Sequence, residues 1–118
     1  MTDLIVCLTG QKPYINHVKK LIEEIDWGRI FLVTDETNKN LLKTEKEITR
    51  IVLDFTKPVS EIIKELTDEL KHNVSGTEVA LNLVSGGGKE HMAILAAILR
   101  SGVGFRLVAL TKEGIVEL

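Results

Sequence analysis

Five short runs of apolar residues constrain this chain more than any other feature. They are Leu4–Leu8, Ile30–Val33, Ile51–Phe55, Val79–Val84 and Phe105–Leu110. Most are continuous rather than alternating, and rich in Val, Ile and Leu. Strands covered on both faces have this character, which points to a parallel sheet. Between the runs, apolar residues recur at helical spacing, as in Ile15, Val18, Leu21, Ile22 and Ile25, and again in Val59, Ile62, Ile63, Leu66 and Leu70. Pro58 suits the first turn of that second helix, where a missing N–H costs nothing. A third helix is predicted from about Lys89 to Arg100, and Glu36–Glu47 reads as a short helix or a loop. The order β-α-β-(α)-β-α-β-α-β implies an α/β fold with helices on both faces of the sheet. Lys112-Glu113-Gly114 has tight-turn chemistry, so Gly114–Leu118 is predicted as a last, antiparallel edge strand.

The chain has 118 residues, which fits one domain, residues 1–118, with no room for a second. Its 44% hydrophobic content is enough for a real core, built from aliphatic side chains because aromatics make up only 4%. Fifteen basic residues oppose seventeen acidic ones, giving a net charge of −2. That balance provides no footprint for duplex nucleic acid, but leaves room for a small anion on a local patch. The single cysteine, Cys7, lies inside an apolar run and reads as a small buried hydrophobe in a protein of the reducing cytoplasm. No signal sequence is visible, and the longest apolar run, Met92–Leu99, is too short to span a membrane.

Ligands of doubly wound sheets bind beyond the C-terminal strand ends, where strand order reverses. Glycine-bearing loops follow the first strand (Thr9-Gly10-Gln11-Lys12) and the fourth (Ser85-Gly86-Gly87-Gly88-Lys89), whereas the segment after the third, Asp54–Pro58, has none. This favours the order 3-2-1-4-5, with the two glycine loops flanking one crevice. The fourth loop is the better anion site. Its three glycines allow close backbone approach, it opens a helix whose amides favour negative charge, Lys89 adds a full charge and Ser85 a hydroxyl. A tight strand-to-helix turn would need only one glycine.

Familiar phosphate motifs do not fit. A Walker A motif ending at Lys89 needs Gly at 83 and Ser or Thr at 90, where the chain has Leu83 and Glu90. Only Gly10 remains of a dinucleotide fingerprint, so Asp35 reads as a solvated loop acid. His17, His72 and His91 are scattered, and no Cys/His pair has metal-ligand spacing, so neither a metal nor a cofactor is expected. His91 reads as an exposed first-turn residue, with ligand contact or proton transfer as the sharper alternative. Met92–Leu99 is apolar nearly all round. Such a helix is either sunk in the core or covered by a partner subunit, so a two-fold homodimer is expected.

Asn82-Leu-Val-Ser-Gly-Gly-Gly-Lys-Glu-His-Met92 resembles the signature of the CRISPR-associated Rossmann fold (CARF) family. Asn82, Ser85, Gly86, Gly87, Lys89 and Met92 match its pattern, while Gly88 stands where Thr or Arg is usual. The strand order and the antiparallel last strand extend the likeness across the chain. The resemblance implies a Rossmann-like domain that binds cyclic oligoadenylate, the second messenger of type III CRISPR antiviral defence, across a two-fold dimer. Ser85 to Lys89 would meet the ring from each subunit, with Thr9, Gly10 and Gln11 lining the same crevice. Family members usually carry an effector, a nuclease or a DNA-binding helix-turn-helix. None follows Leu118, which leaves a free-standing sensor or one domain of something longer. A second possibility is a metal-independent ring nuclease, in which Lys89 stabilises developing charge and Thr9, Tyr14 or His91 stands near the leaving oxygen. A third is a Rossmann-like nucleotide-binding or interaction module unrelated to CRISPR.

Overall fold

Every position of the first strand, β1 (Asp3–Leu8), is buried, because β1 is central in the sheet and covered on both faces. The computed structural model describes residues 1–118. After β1 come α1 (Ile15–Glu24), β2 (Ile30–Thr34), β3 (Thr49–Val52), α2 (Val59–Asn73), β4 (Glu78–Asn82), α3 (Gly88–Arg100), β5 (Gly104–Thr111) and β6 (Gly114–Glu117). The sheet order is β3-β2-β1-β4-β5-β6. All pairings are parallel except β5 with β6. This is the Rossmann-like arrangement expected from the apolar runs. Its order reverses between β1 and β4, where Val6 lies beside Asn82.

The two faces are covered differently. Ile5, Cys7, Phe31, Val33, Val79 and Leu81 point towards α2 and α3, meeting Ile62, Leu66, Leu70, Ile94 and Ile98. Leu4, Val6, Leu8 and Leu32 point the other way, onto Val18, Leu21 and Ile22 of α1 and Leu42 of the β2–β3 connection. Each of these large aliphatic side chains contributes about 1.5–3 kcal/mol by leaving water. The stretch from Glu36 to Glu47 forms turns rather than a helix. It covers the sheet with Leu42 in place of a crossover helix.

The apolar helix is only half sunk. Ala93, Ile94, Ala97 and Ile98 are buried, while Met92 is 59% and Leu99 66% exposed. The third strand begins and ends earlier than its apolar run suggests. Its ladder stops after Val52, with one further bond from Leu53 N–H to the Thr34 carbonyl (2.9 Å). Asp54 then accepts the amide (2.9 Å) and hydroxyl (2.6 Å) of Thr56, turning the chain towards α2. Pro58 caps α2 from just outside its first turn, and its carbonyl accepts the Ile62 amide at 3.2 Å.

At the N-terminal end of the sheet, the buried Asp3 ties three segments together. One carboxylate oxygen accepts the Arg29 amide (2.8 Å), and the other accepts the Ser75 amide (3.1 Å) and hydroxyl (3.3 Å). A Cβ on Gly28 would lie 2.5 Å from Asp3 Oδ1 and 2.9 Å from the Met1 carbonyl, so only glycine fits there.

Candidate functional site

β1 and β4 are neighbours and run in the same direction, so the chain leaves both at one end of the sheet. It then enters α1 on one face and α3 on the other. The crevice at the strand-order reversal is therefore built from residues 9–14 on one lip and 83–88 on the other, as the sequence leads one to expect for an open α/β sheet.

One hydroxyl clasps the lips together. Ser85 Oγ accepts the Thr9 amide at 3.0 Å and donates to the Thr9 carbonyl at 3.1 Å. Both residues are completely buried. Their hydroxyls are thus spent inside the protein, with Thr9 Oγ1 lying 3.3 Å from Cys7 Sγ. Burial pushes the Cys7 thiol up to about 12, against the opposing pull of Thr9. It is a protonated filler under the loop rather than a nucleophile.

The three glycines have three different surroundings. Gly86 has φ +96, and a Cβ there would sit 2.5 Å from Thr9 Oγ1 and 3.0 Å from Cys7 Sγ. Packing alone explains it. Gly87 is extended and precedes α3; a Cβ would come within 3.3 Å of Glu90 Oε2. Around Gly88 there is open space, with nothing within 4 Å of an added Cβ. Neither packing nor backbone geometry asks for glycine at 88, and the lack of a side chain leaves the opening of α3 bare.

No side chain caps α3. Its first main-chain bond of this kind runs from the His91 amide to the Gly87 carbonyl (3.0 Å), which leaves the amides of the preceding first-turn residues facing outward. They carry the positive end of the helix dipole. Lys89 is exposed beside them, with Nζ donating to the Lys57 carbonyl at 2.7 Å. Its ammonium leans towards the β3–α2 connection rather than into the crevice. A long exposed side chain can exchange that single bond for a ligand. Glu90 places an opposing carboxylate on the same turn.

His91 departs from the sequence expectation. It is half-buried, and its Nε2 lies 2.7 Å from the Ser85 carbonyl. A carbonyl only accepts, so Nε2 carries the proton and donates. The imidazole holds the glycine loop from below.

On the other lip, Gly10 has φ +83 and is exposed. Its amide donates to Asp35 Oδ2 (3.4 Å), and its carbonyl accepts from Asn38 Nδ2 (3.1 Å). Asp35 also accepts the Asn38 amide (2.9 Å) and side chain (2.8 Å). Asp35 is therefore an organiser of the loop rather than a solvated acid. Asn38, almost fully buried, is a site residue that no sequence pattern announces. Gln11 is exposed. Tyr14, the residue before α1, has φ 57 and ψ 46 and is the one non-glycine residue with positive φ. That left-handed conformation costs an L-residue roughly 1–2 kcal/mol.

His17, in the first turn of α1, closes the back of this lip. Its Nε2 accepts from the Leu110 amide (3.3 Å) and from Asn82 Nδ2 (3.2 Å), so the ring proton sits on Nδ1. Asn82 Nδ2 also donates to the Val108 carbonyl (2.9 Å). Burial lowers the His17 pKa.

An open groove of about 1050 Å³ follows the outer edge of β3, lined by Asp35, Glu36, Asp54, Glu65, Asp68, Glu69 and Glu90 against Arg50 and Lys57. Its carboxylates outnumber its cations, and Asp35 and Glu90 join it to the two loops. No group of His, Cys, Asp and Glu has the arrangement of a metal site. No helix is long and apolar enough to cross a membrane. Compared with known proteins, the chain matches no protein-family model and no curated protein.

Proposed function

We propose that this domain is a sensor that binds cyclic oligoadenylate, held between two copies of the chain. The observation that carries this reading is the uncapped start of α3 with open space at Gly88, set beside a second glycine lip at the strand-order reversal. Amides that no group of the protein satisfies are suited to phosphate oxygens. Lys89 adds a mobile charge on the same turn. The resemblance of Asn82–Met92 to the CARF signature supplies the ligand class, because a ring with a charge on every phosphate matches two symmetry-related copies of such a site.

The dimer rests on the outer flank of α3 and the adjoining sheet edge. Met92 and Leu99 stand in water, as do Leu107 on β5 and Leu118 at the chain end. Met92 and Leu99 are seven residues apart, on one side of α3, and exposed apolar side chains on one face suit an association surface. A second copy would cover it, and a two-fold arrangement would bring two α3 N-termini to one shared cleft.

Binding is favoured over cleavage by the state of the candidate catalytic groups. Thr9 is buried, and His91 Nε2 is committed to the Ser85 carbonyl. Of the four candidates, only Tyr14 and Lys89 present exposed side chains. The test is isothermal titration of the chain with cyclic tetra- and hexa-adenylate, together with sedimentation. Heat of binding at one ring per two chains, with the ring recovered intact by chromatography, is the expected result. Absence of heat with both rings overturns the reading.

A further inference from the structure

We infer that Tyr14 is a stacking platform for a nucleobase, so that the crevice selects base-bearing anions over bare phosphates. This inference rests on the function proposed above and assigns a specificity residue to the same site.

Three observations meet at this residue. Tyr14 is the one aromatic side chain that is predominantly exposed, at 54%. Phe31 is buried, and Trp27, Phe55 and Phe105 are packed against the two halves of the core. Tyr14 is also the one non-glycine residue in the left-handed region. A large side chain is a poor choice for that conformation, and glycine or asparagine would hold the same turn with less strain. Its packing gives no reason for tyrosine either, since more than half of it lies in water. Backbone strain of this kind clusters at functional sites.

The third observation is its place. The Val18 amide bonds to the Tyr14 carbonyl, so Tyr14 is one helical turn before Val18. His17, next to Val18, touches Asn82 at the end of β4 and Leu110 on β5. Tyr14 therefore lies beyond those strand ends, on the lip opposite the start of α3. The two lips offer complementary chemistry, amides and Lys89 on one and an aromatic face on the other. Phosphates need the first and bases use the second. Base–aromatic stacking tolerates any base and requires no hydrogen bond from the phenol.

Tyr14 is the single tyrosine of the chain, so incorporation of 3-fluorotyrosine gives one ¹⁹F resonance that reports on this ring alone. The intact protein is titrated with cyclic tetra-adenylate and, as a base-free polyanion, with tripolyphosphate. The expected result is a change of the ¹⁹F shift with cyclic tetra-adenylate and none with tripolyphosphate. Tyr14→Gly should weaken binding of the ring about five- to a hundredfold, the range of stacking contributions, while its melting temperature stays level or rises. Tyr14→Phe and Tyr14→Trp should bind as the parent does. The inference is overturned by a parent that binds with no ¹⁹F change, by Tyr14→Gly binding as tightly as the parent, or by Tyr14→Phe losing as much as Tyr14→Gly. Each of those outcomes leaves the proposed function standing. A parent that binds neither cyclic tetra-adenylate nor cyclic hexa-adenylate overturns the proposed function and this inference together.

Discussion

The two ends of the parallel sheet handle the same problem in opposite ways. At the N-terminal end, backbone amides of two connections find a carboxylate of the chain itself. Asp3 is buried and receives Arg29 and Ser75 with nothing left over. At the C-terminal end, the amides that open α3 meet no side chain, and an exposed aromatic residue stands in a strained conformation. One end is saturated and the other is left open. Residues that complete a hydrogen-bond set should govern stability, while residues that leave one incomplete should govern binding.

The largest expected effect lies at the closed end. Asp3→Ala removes the charged acceptor of three partly buried hydrogen bonds, a loss of about 3–5 kcal/mol. Denaturant unfolding measures it, and Asp3→Ala at folding temperature should still bind the ring. A stability change below about 1 kcal/mol would break the contrast between the ends.

Next come two glycines of one loop, which sharpen the comparison. Gly86→Ala forces a methyl against Thr9 and Cys7 at a positive φ, which should cost about 2–4 kcal/mol. Gly88→Ala meets open space at the start of a helix, so it should leave stability unchanged or raise it by up to about 1 kcal/mol. The same Gly88→Ala should reduce ring binding. A stabilised protein with full affinity would show that the open space at Gly88 serves no ligand.

A smaller effect is expected at Lys89. Lys89→Ala should weaken cyclic oligoadenylate binding about tenfold, the loss of one charged hydrogen bond, and flatten its salt dependence. The melting temperature should barely move, because the Lys57 contact is a single exposed bond. Unchanged affinity and salt slope would remove Lys89 from the site.

The smallest effect concerns pH. Nε2 of His17 accepts two hydrogen bonds only when unprotonated, and burial lowers its pKa in the folded protein. The unfolded chain therefore takes up this proton first. The stability tied to His17 is fully present above its ordinary pKa near 6.5 and is lost as the pH falls through the lowered folded value. Urea midpoints measured at falling pH should show the decline in the parent and a flatter profile in His17→Gln.

Much of this architecture is written in the order of residues, for a physical reason. A strand covered on both faces must be apolar throughout, so β1, β2 and β4 stand out, and glycine loops after β1 and β4 give the strand order. The rule weakens at the sheet edge. Thr49 and Arg50 belong to β3 but face water, so polarity hides them, while Leu53 and Phe55 extend the apolar run past the ladder. The crevice was only partly legible. Its loops could be located because glycine and lysine are conspicuous, but what each residue does depends on contacts far apart in the chain. Ser85 reads as a ligand hydroxyl until Thr9 takes both of its bonds. His91 reads as exposed until its ring folds under the loop. Asn38 carries no periodic signal, and the conformation of Tyr14 leaves no trace in residue type.

The Thr9–Ser85 pair has a kinetic consequence. Because one hydroxyl is both acceptor and donor, the lips cannot part by losing one bond and keeping the other; rotation of Ser85 releases both. The Thr9 amide, although it lies in a loop, should therefore exchange with solvent deuterium as slowly as a strand amide. Its exchange rate counts the openings of the crevice, and a bound ligand that bridges the lips should slow that clock further.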